Sequence, residues 1–318
     1  MGILRKKDDN EKVDRLLGNH TLSKLNIQDR YNLNKDTAKN LIDNGLYQMV
    51  LNNLKSFIPV DLPAIAVLLV ENGRGYSVLN QIYEFGDHLD QQDIANLIAE
   101  QQGGRYLVHR LKDLKGVDHA PVVDRILDSN FPEIAPENMD LFVNVDHNEV
   151  AKKLIKLGNT FLLAENLANF EGLDDEVALA LINEGFDYAV RDNFNAFTDL
   201  NKVQLFHVGA HGNSNGFSAL RYIDPSQDIG EQVVVFVGDS LRFKGNPETV
   251  IAELNVVCVE HGNVGVNRVS DKTPAANGRY AQTSIAFLKD AFAEPIPEST
   301  SPKGMDDTTE SMVVPVIR

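Results

Sequence analysis

The chain has 318 residues, 43% hydrophobic and 24% charged, which is a globular composition rather than a disordered one. Asp and Glu number 46 against 30 Lys and Arg, a formal charge of −16, and a surface this acidic is expected to repel nucleic acid and anionic lipid. One cysteine, Cys258, excludes a disulfide framework and a Cys-rich zinc site and fits a reducing, cytoplasmic setting.

Residues 1–34 are polar and charged, with Lys6-Lys7 and Asp8-Asp9 near the start. They lack the apolar core of a leader peptide and are expected to form an N-terminal segment or cap. The longest apolar runs, such as Val233–Val237, fall far short of the ~20 residues of a membrane helix.

A repeat begins at residue 35. An apolar residue followed by Asp or Asn recurs at Leu33-Asn34, Val60-Asp61, Leu89-Asp90, Val117-Asp118, Val145-Asp146, Leu173-Asp174 and Leu200-Asn201, in steps of 27 to 29 residues. Six units follow, over 35–61, 62–90, 91–118, 119–146, 147–174 and 175–201. A small position reads Ala38, Ala66, Ala95, Val123, Ala151, Ala178. A turn position reads Gly45, Gly73, Gln102, Asn130, Gly158, Gly185. Behind it come Val50, Val78, Leu107, Ala135, Leu163, Val190, then Leu54, Ile82, Leu111, Met139, Leu167, Phe194, then Phe57, Phe85, Leu114, Phe142, Phe170, Phe197.

Gly or Asn after an apolar-periodic run ends a helix in the left-handed conformation. Asp or Asn before the next run is a helix N-cap. Each unit therefore reads as two short helices with a tight turn between them. Helices this short are marginal alone, so the apolar columns must be buried against neighbouring units, which predicts an α-solenoid. A degenerate seventh unit is expected over 202–229, with Gly212 at its turn and Leu220 and Ile223 near the later columns. The pattern over 35–229 resembles the broad class of short helical tandem repeats related to HEAT and armadillo arrays. The acid excess is concentrated here: residues 35–201 hold 27 Asp and Glu against 13 Lys and Arg.

The column before Leu54 reads Asn53, Gln81, Arg110, Asn138, Asn166, Asn193. It is either a polar ladder lining a binding face or a set of side chains satisfying loop backbone. His119 and His147 share a column and read as helix-start residues. His207 and His211 stand at i,i+4, the spacing that turns two imidazoles of a helix towards one zinc ion, but no Cys or carboxylate at fixed spacing completes that set.

From Glu231 the helical period stops. Gln232–Val237 (QVVVFV) reads as a strand buried on both faces. Residues 238–246 read as a loop. Asn246-Pro247 reads as an N-cap with Pro in the first turn of a short helix over 247–254. Asn255–Glu260 (NVVCVE) reads as a second buried strand that packs Cys258 in the core. A right-handed βαβ unit follows by default, with ligands beyond the strand ends at Asp239 and His261-Gly262-Asn263. A last amphipathic helix is expected over 283–292, and the tail 294–318 reads as disordered. The fold class expected is mainly α: a solenoid of two-helix repeats over 35–229 with a small α/β segment over 230–293.

The order VVVFVGDS, short helix, NVVCVEHGN, loop, NGRYAQTSIAFLKDAF resembles the C-terminal part of haloacid dehalogenase-like phosphatases. The resemblance rests on Gly238, Asp239, Gly262, Asn263, Tyr280 and Thr283. It implies Mg²⁺ held by Asp239, with Ser240 on phosphate; no lysine matches the family's phosphate-neutralising one, and Lys244 is only a candidate for it. Two departures stand against it. Ser240-Leu241-Arg242-Phe243 lacks the further acid, and no Asp-x-Asp follows an earlier buried strand to supply the nucleophile. The expected function is a protein-interaction scaffold for a partner with a basic surface, with an inactive phosphatase-like segment. The alternative is a Mg²⁺-dependent phosphatase or phosphotransferase.

Overall fold

The computed structural model describes residues 33–296, apart from 58, 103, 199, 209–216, 224–229, 238–240 and 261–284. Residues 1–32 and 297–318, which hold the expected cap and most of the tail, lie outside the described residues. The chain is mainly helical with one small antiparallel sheet. It divides into two compact units, Met1–Asp146 and His147–Arg318, taken here in turn.

Among the described residues, the N-terminal unit holds four helical segments. Each opens with a longer helix: α1 (Lys35–Asp43), α3 (Leu62–Glu71), α5 (Gln91–Gln102) and α7 (His119–Leu127). Each continues in a shorter one: α2 (Tyr47–Asn52), α4 (Gly75–Asn80), α6 (Arg105–Val108) and α8 (Ile134–Glu137). A 3₁₀ turn follows every short helix, as at Leu54–Ser56 and Leu111–Asp113. The capping residues act as their chemistry dictates. Asn34 accepts from the Thr37 amide and Asp118 from the Ala120 amide. At the other end of α1, the Gly45 amide donates to the Ile42 carbonyl and the Leu46 amide to the Leu41 carbonyl. That is a paired closure around a residue at φ 76°, a conformation that favours glycine.

Each longer helix packs on the next, α1 on α3, α3 on α5 and α5 on α7, and α4 packs on α6. The small column lies at these contacts: Ala38, Ala66, Ala95 and Val123 are fully buried. Val50, Val78, Leu107 and Ala135 are buried behind them, with Phe57, Phe85 and Phe142 closing three of the four segments and the half-buried Leu114 the other. The third segment departs from the sequence reading. Its turn glycine is Gly104, at φ 72°, and not Gln102. Gln102 ends the longer α5 and donates to the Val70 carbonyl at 3.0 Å.

The C-terminal unit begins with two segments of the same design: α9 (His147–Lys156) with α10 (Thr160–Glu165), and α11 (Asp175–Asn183) with α12 (Asp187–Asp192). Asp174 caps α11, accepting from the Glu176 and Val177 amides. The chain then changes to β structure earlier than the sequence reading holds. The span expected as a seventh helical unit forms strands β1 (Val203–Val208) and β2 (Phe217–Tyr222). Val203–Val208 pairs antiparallel with β2 along its whole length, and this strand pairing wins over the 28-residue register. Leu220 lies in β2 and not in a late helix, Ile223 follows it, and Gly212 lies outside the described residues.

Two further corrections concern the C-terminal segment. β3 (Gln232–Val237) is the expected buried strand, but Leu241–Gly245, read as loop, is β4. Asn255–Glu260 is no strand: helix α13 runs from Pro247 to Glu260. Once Asn246 has capped that helix at the Thr249 amide, nothing breaks it before 260, and its apolar run continues as helix. Cys258 lies on α13, and its side chain is outside the described residues. The strands form an antiparallel meander, β1-β2-β3-β4, in place of the expected parallel βαβ unit and of the second strand that the phosphatase resemblance needs.

Both faces of the sheet are covered, which is why β3 is apolar throughout. On one face, Phe217, Ala219, Val233, Val235 and Val237 pack with Val250 and Leu254 of α13 and with Ile285, Leu288 and Phe292 of a helix over 285–293, α14. On the other, α11 meets β1 and α12 meets β2.

Candidate interaction surface

The polar column does not form a free ladder. Asn53, Asn138, Asn166 and Asn193 each donate a side-chain N–H to the carbonyl four residues back, at Met49, Ile134, Leu162 and Ala189, over 2.8 to 3.0 Å. Each satisfies a carbonyl that the end of a short helix leaves orphaned. Arg110 reaches further, to Asp113 at 2.7 Å and to Asn80 in the preceding segment at 2.6 Å. These contacts favour the backbone-satisfying reading over a binding ladder.

The helix-start residues reach forward. His119 accepts the Val143 amide on Nδ1 at 2.8 Å, and His147 accepts the Glu171 amide at 3.1 Å. Each ring also meets the segment's phenylalanine edge-on, His119 with Phe142 and His147 with Phe170. Gln91 does the same work at the Lys115 amide, over 2.7 Å. Burial pulls the His119 imidazole below the ordinary histidine value, with Asp118 opposing.

Gly238, Asp239, Ser240, His261, Gly262 and Asn263 lie outside the described residues, as does His211. His207 is exposed on β1, where i,i+4 spacing has no helical geometry. Among the described residues, no group of three or more His, Cys, Asp or Glu is placed to hold a metal ion. Lys244 is on β4, where its Nζ donates to the Ile182 carbonyl at 3.1 Å and lies 5.9 Å from the Tyr222 ring. It adjoins Asp187, whose side chain is 1% exposed and hydrogen-bonded to Arg242. Burial raises the Asp187 carboxyl above the ordinary value, against the pull of Arg242 and Lys244. Burial also lowers the Lys244 ammonium, which Asp187 opposes. Asp187 joins α12 to β4 as a clasp within this unit.

The structure brings forward residues that the sequence reading missed. Tyr76, Phe161 and Tyr188 stand two positions before the buried aliphatic residues Val78, Leu163 and Val190 of their short helices, and Tyr106 stands one position before Leu107; they are 51%, 57%, 40% and 58% exposed. In the N-terminal unit Tyr76 and Tyr106 meet with ring centroids 5.1 Å apart, and the Arg74 guanidinium lies over Tyr47 at 3.9 Å. In the C-terminal unit Phe161 lies 6.2 Å from Phe186, and Phe186 lies 6.4 Å from Tyr188. The Tyr188 hydroxyl donates to Glu165 at 3.3 Å. Burial first and the Glu165 carboxylate second raise the Tyr188 phenol above its ordinary value. Part of the signal was in the sequence: an aromatic residue stands at this position in three of the six units, as Tyr76, Phe161 and Tyr188. Exposed aromatic rows combine large contact area with few rotatable bonds and are well suited to recognition. No protein-family model, no curated protein and no solved structure matches this chain.

Proposed function

We propose that this chain is a protein-interaction scaffold, an α-solenoid of helical repeats of about 28 residues whose short helices present aromatic side chains to a partner with a basic surface. The observation that carries the reading is the exposure of Tyr76, Phe161 and Tyr188 at one position of the repeat and of Tyr106 one residue beyond it, where burial gives no reason for an aromatic side chain. Scattered exposed apolar residues need no explanation, whereas a group that recurs at or beside one position of a repeat does. The acid excess of 35–201 supports a basic partner through electrostatic complementarity. Most of the described chain is spent on segments whose inner columns are buried and whose outer positions are exposed, as an extended binding surface requires.

The test compares partner capture by the native chain and by a variant carrying Tyr76→Ser and Tyr106→Ser, with circular dichroism to show that helix content is kept. Proteins retained by the native chain and lost from the variant support the scaffold. Identical capture by the two chains removes the aromatic row from the interface.

A further inference from the structure

We propose that Phe161, Phe186 and Tyr188, together with Glu165, form a seat for the Lys or Arg side chains of a basic peptide segment. The inference rests on the scaffold reading and names the chemistry that the C-terminal unit recognises. Three observations carry it.

The first is geometry. Phe161 and Glu165 stand four residues apart on α10, so they share a helix face. Phe186 and Tyr188 enter from the start of α12. Phe161 and Phe186 are inclined by 54° and Phe186 and Tyr188 by 69°, with Phe161 and Tyr188 exposed and Phe186 half-buried between them in the row of contacts. The Tyr188–Glu165 hydrogen bond fixes a carboxylate beside them. Aromatic faces attract cations through their quadrupole, and an adjoining carboxylate adds a direct charge.

The second is vacancy. Elsewhere in the chain rings already carry cations: Arg74 lies over Tyr47 and Arg191 lies 4.4 Å from the Phe236 centroid. Among the described residues, no cation lies over Phe161, Phe186 or Tyr188. None pairs with Glu165 or with Glu184, whose Oε1 accepts from Thr160 at 3.0 Å.

The third is the sign of the charge. Residues 147–201 hold ten Asp and Glu against four Lys and Arg. Of those four, Lys152 is paired with Asp174 and Glu176, and Arg191 with Asp192. In the N-terminal unit the corresponding tyrosines are flanked by Arg74 and Arg105 and not by carboxylates, so the cation seat belongs to the C-terminal unit.

The experiment is calorimetric titration of the full chain with a peptide of alternating lysine and glycine, and with the same peptide carrying glutamate for lysine. The lysine peptide is expected to bind and the glutamate peptide not. Phe161→Ala with Tyr188→Ala should weaken the lysine peptide by about tenfold. Glu165→Gln, a near-isosteric change on an exposed side chain, should weaken it several-fold and flatten its salt dependence. If the double variant fails to fold by circular dichroism, Glu165→Gln alone decides. No binding of the lysine peptide overturns the proposal, as does an unchanged affinity in a folded variant. The scaffold reading is tested by Tyr76 and Tyr106 in the other unit, so either proposal can fail while the other stands.

Discussion

Arg221 and Glu231 meet in two near-parallel hydrogen bonds, Nε to Oε1 at 2.6 Å and Nη2 to Oε2 at 2.7 Å, with the arginine only 2% exposed. The third contact of the guanidinium runs from Nη1 to the Ala291 carbonyl at 3.1 Å, near the end of α14. A buried forked pair of this kind is costly to halve, because the surviving charge is left without a partner. Glu231→Ala should lower the free energy of unfolding by about 3 kcal/mol. Arg221→Met with Glu231→Leu should be milder than the single change. Urea unfolding of the three chains measures both, and a double variant weaker than Glu231→Ala would contradict the argument.

His119 must be neutral at Nδ1 to accept the Val143 amide. Its pKa is lowered by burial from 6.5, so its contribution is present above pH 6.5 and is lost as pH falls through the lowered folded value. Gln91 holds the equivalent amide without a titrating group. His119→Gln should therefore keep stability at pH 7.5 and lose less of it at pH 5 than the native chain. Unfolding midpoints at the two pH values decide, and equal acid sensitivity would rule His119 out as the source.

Asp187 has the opposite sign. Its folded pKa is raised, so the folded state holds the proton more tightly than the unfolded one. The contribution is fully present below about 3.8 and is lost as pH rises through the raised value. Its Oδ1 makes no hydrogen bond of good geometry, which adds to the penalty on the charged form. Asp187→Asn should remove that downward slope and leave Arg242 without its ion-pair partner. Urea midpoints across the acid range should be flatter for the variant, and identical slopes would contradict the assignment.

The turn glycines separate two penalties. Gly45 lies at φ 76° with open space where a Cβ would stand. Gly104 lies at φ 72°, and a Cβ there would meet Ile126 Cδ1 at 2.8 Å. Gly45→Ala should cost about 1 kcal/mol for the left-handed backbone alone. Gly104→Ala should cost more, because Ile126 must also move. Equal losses in urea unfolding would mean that Ile126 relaxes freely.

The columns were legible because burial selects residue type directly. Ala38, Ala66 and Ala95 mark close helix contacts, and the caps at Asn34, Asp118 and Asp174 are local chemistry that survives in any context. The second left-handed turn, at Gly86, Gly116, Asn144 and Gly172, was not read, because it accepts Asn as well as Gly and its spacing drifts. The sheet was read wrongly for two reasons. A six-residue run such as Asn255–Glu260 suits a strand or a buried helix equally, and only the helix already begun at Pro247 decides. Leu241–Gly245 carries Arg242 and Lys244, whose partners Asp187 and Ile182 lie more than fifty residues away, so its polar character hid a strand. The aromatic row was visible as spacing, but only burial shows which aromatic positions face outward.

The reach of Arg221 to Ala291 across 70 residues sets an order on synthesis. The helical segments close on contacts made within one or two turns of the repeat, so each finds its partners soon after it leaves the ribosome. The meander does not. Strands β1 to β4 have one cover from α11 and α12 beforehand, but the face carrying Arg221, Val233 and Val235 stays open until α13 and α14 have emerged. Non-local closure of this kind is slow and leaves apolar strand surface exposed in the interval. A nascent chain stalled or cut before 291 thus presents a finished set of helical segments joined to an uncovered sheet.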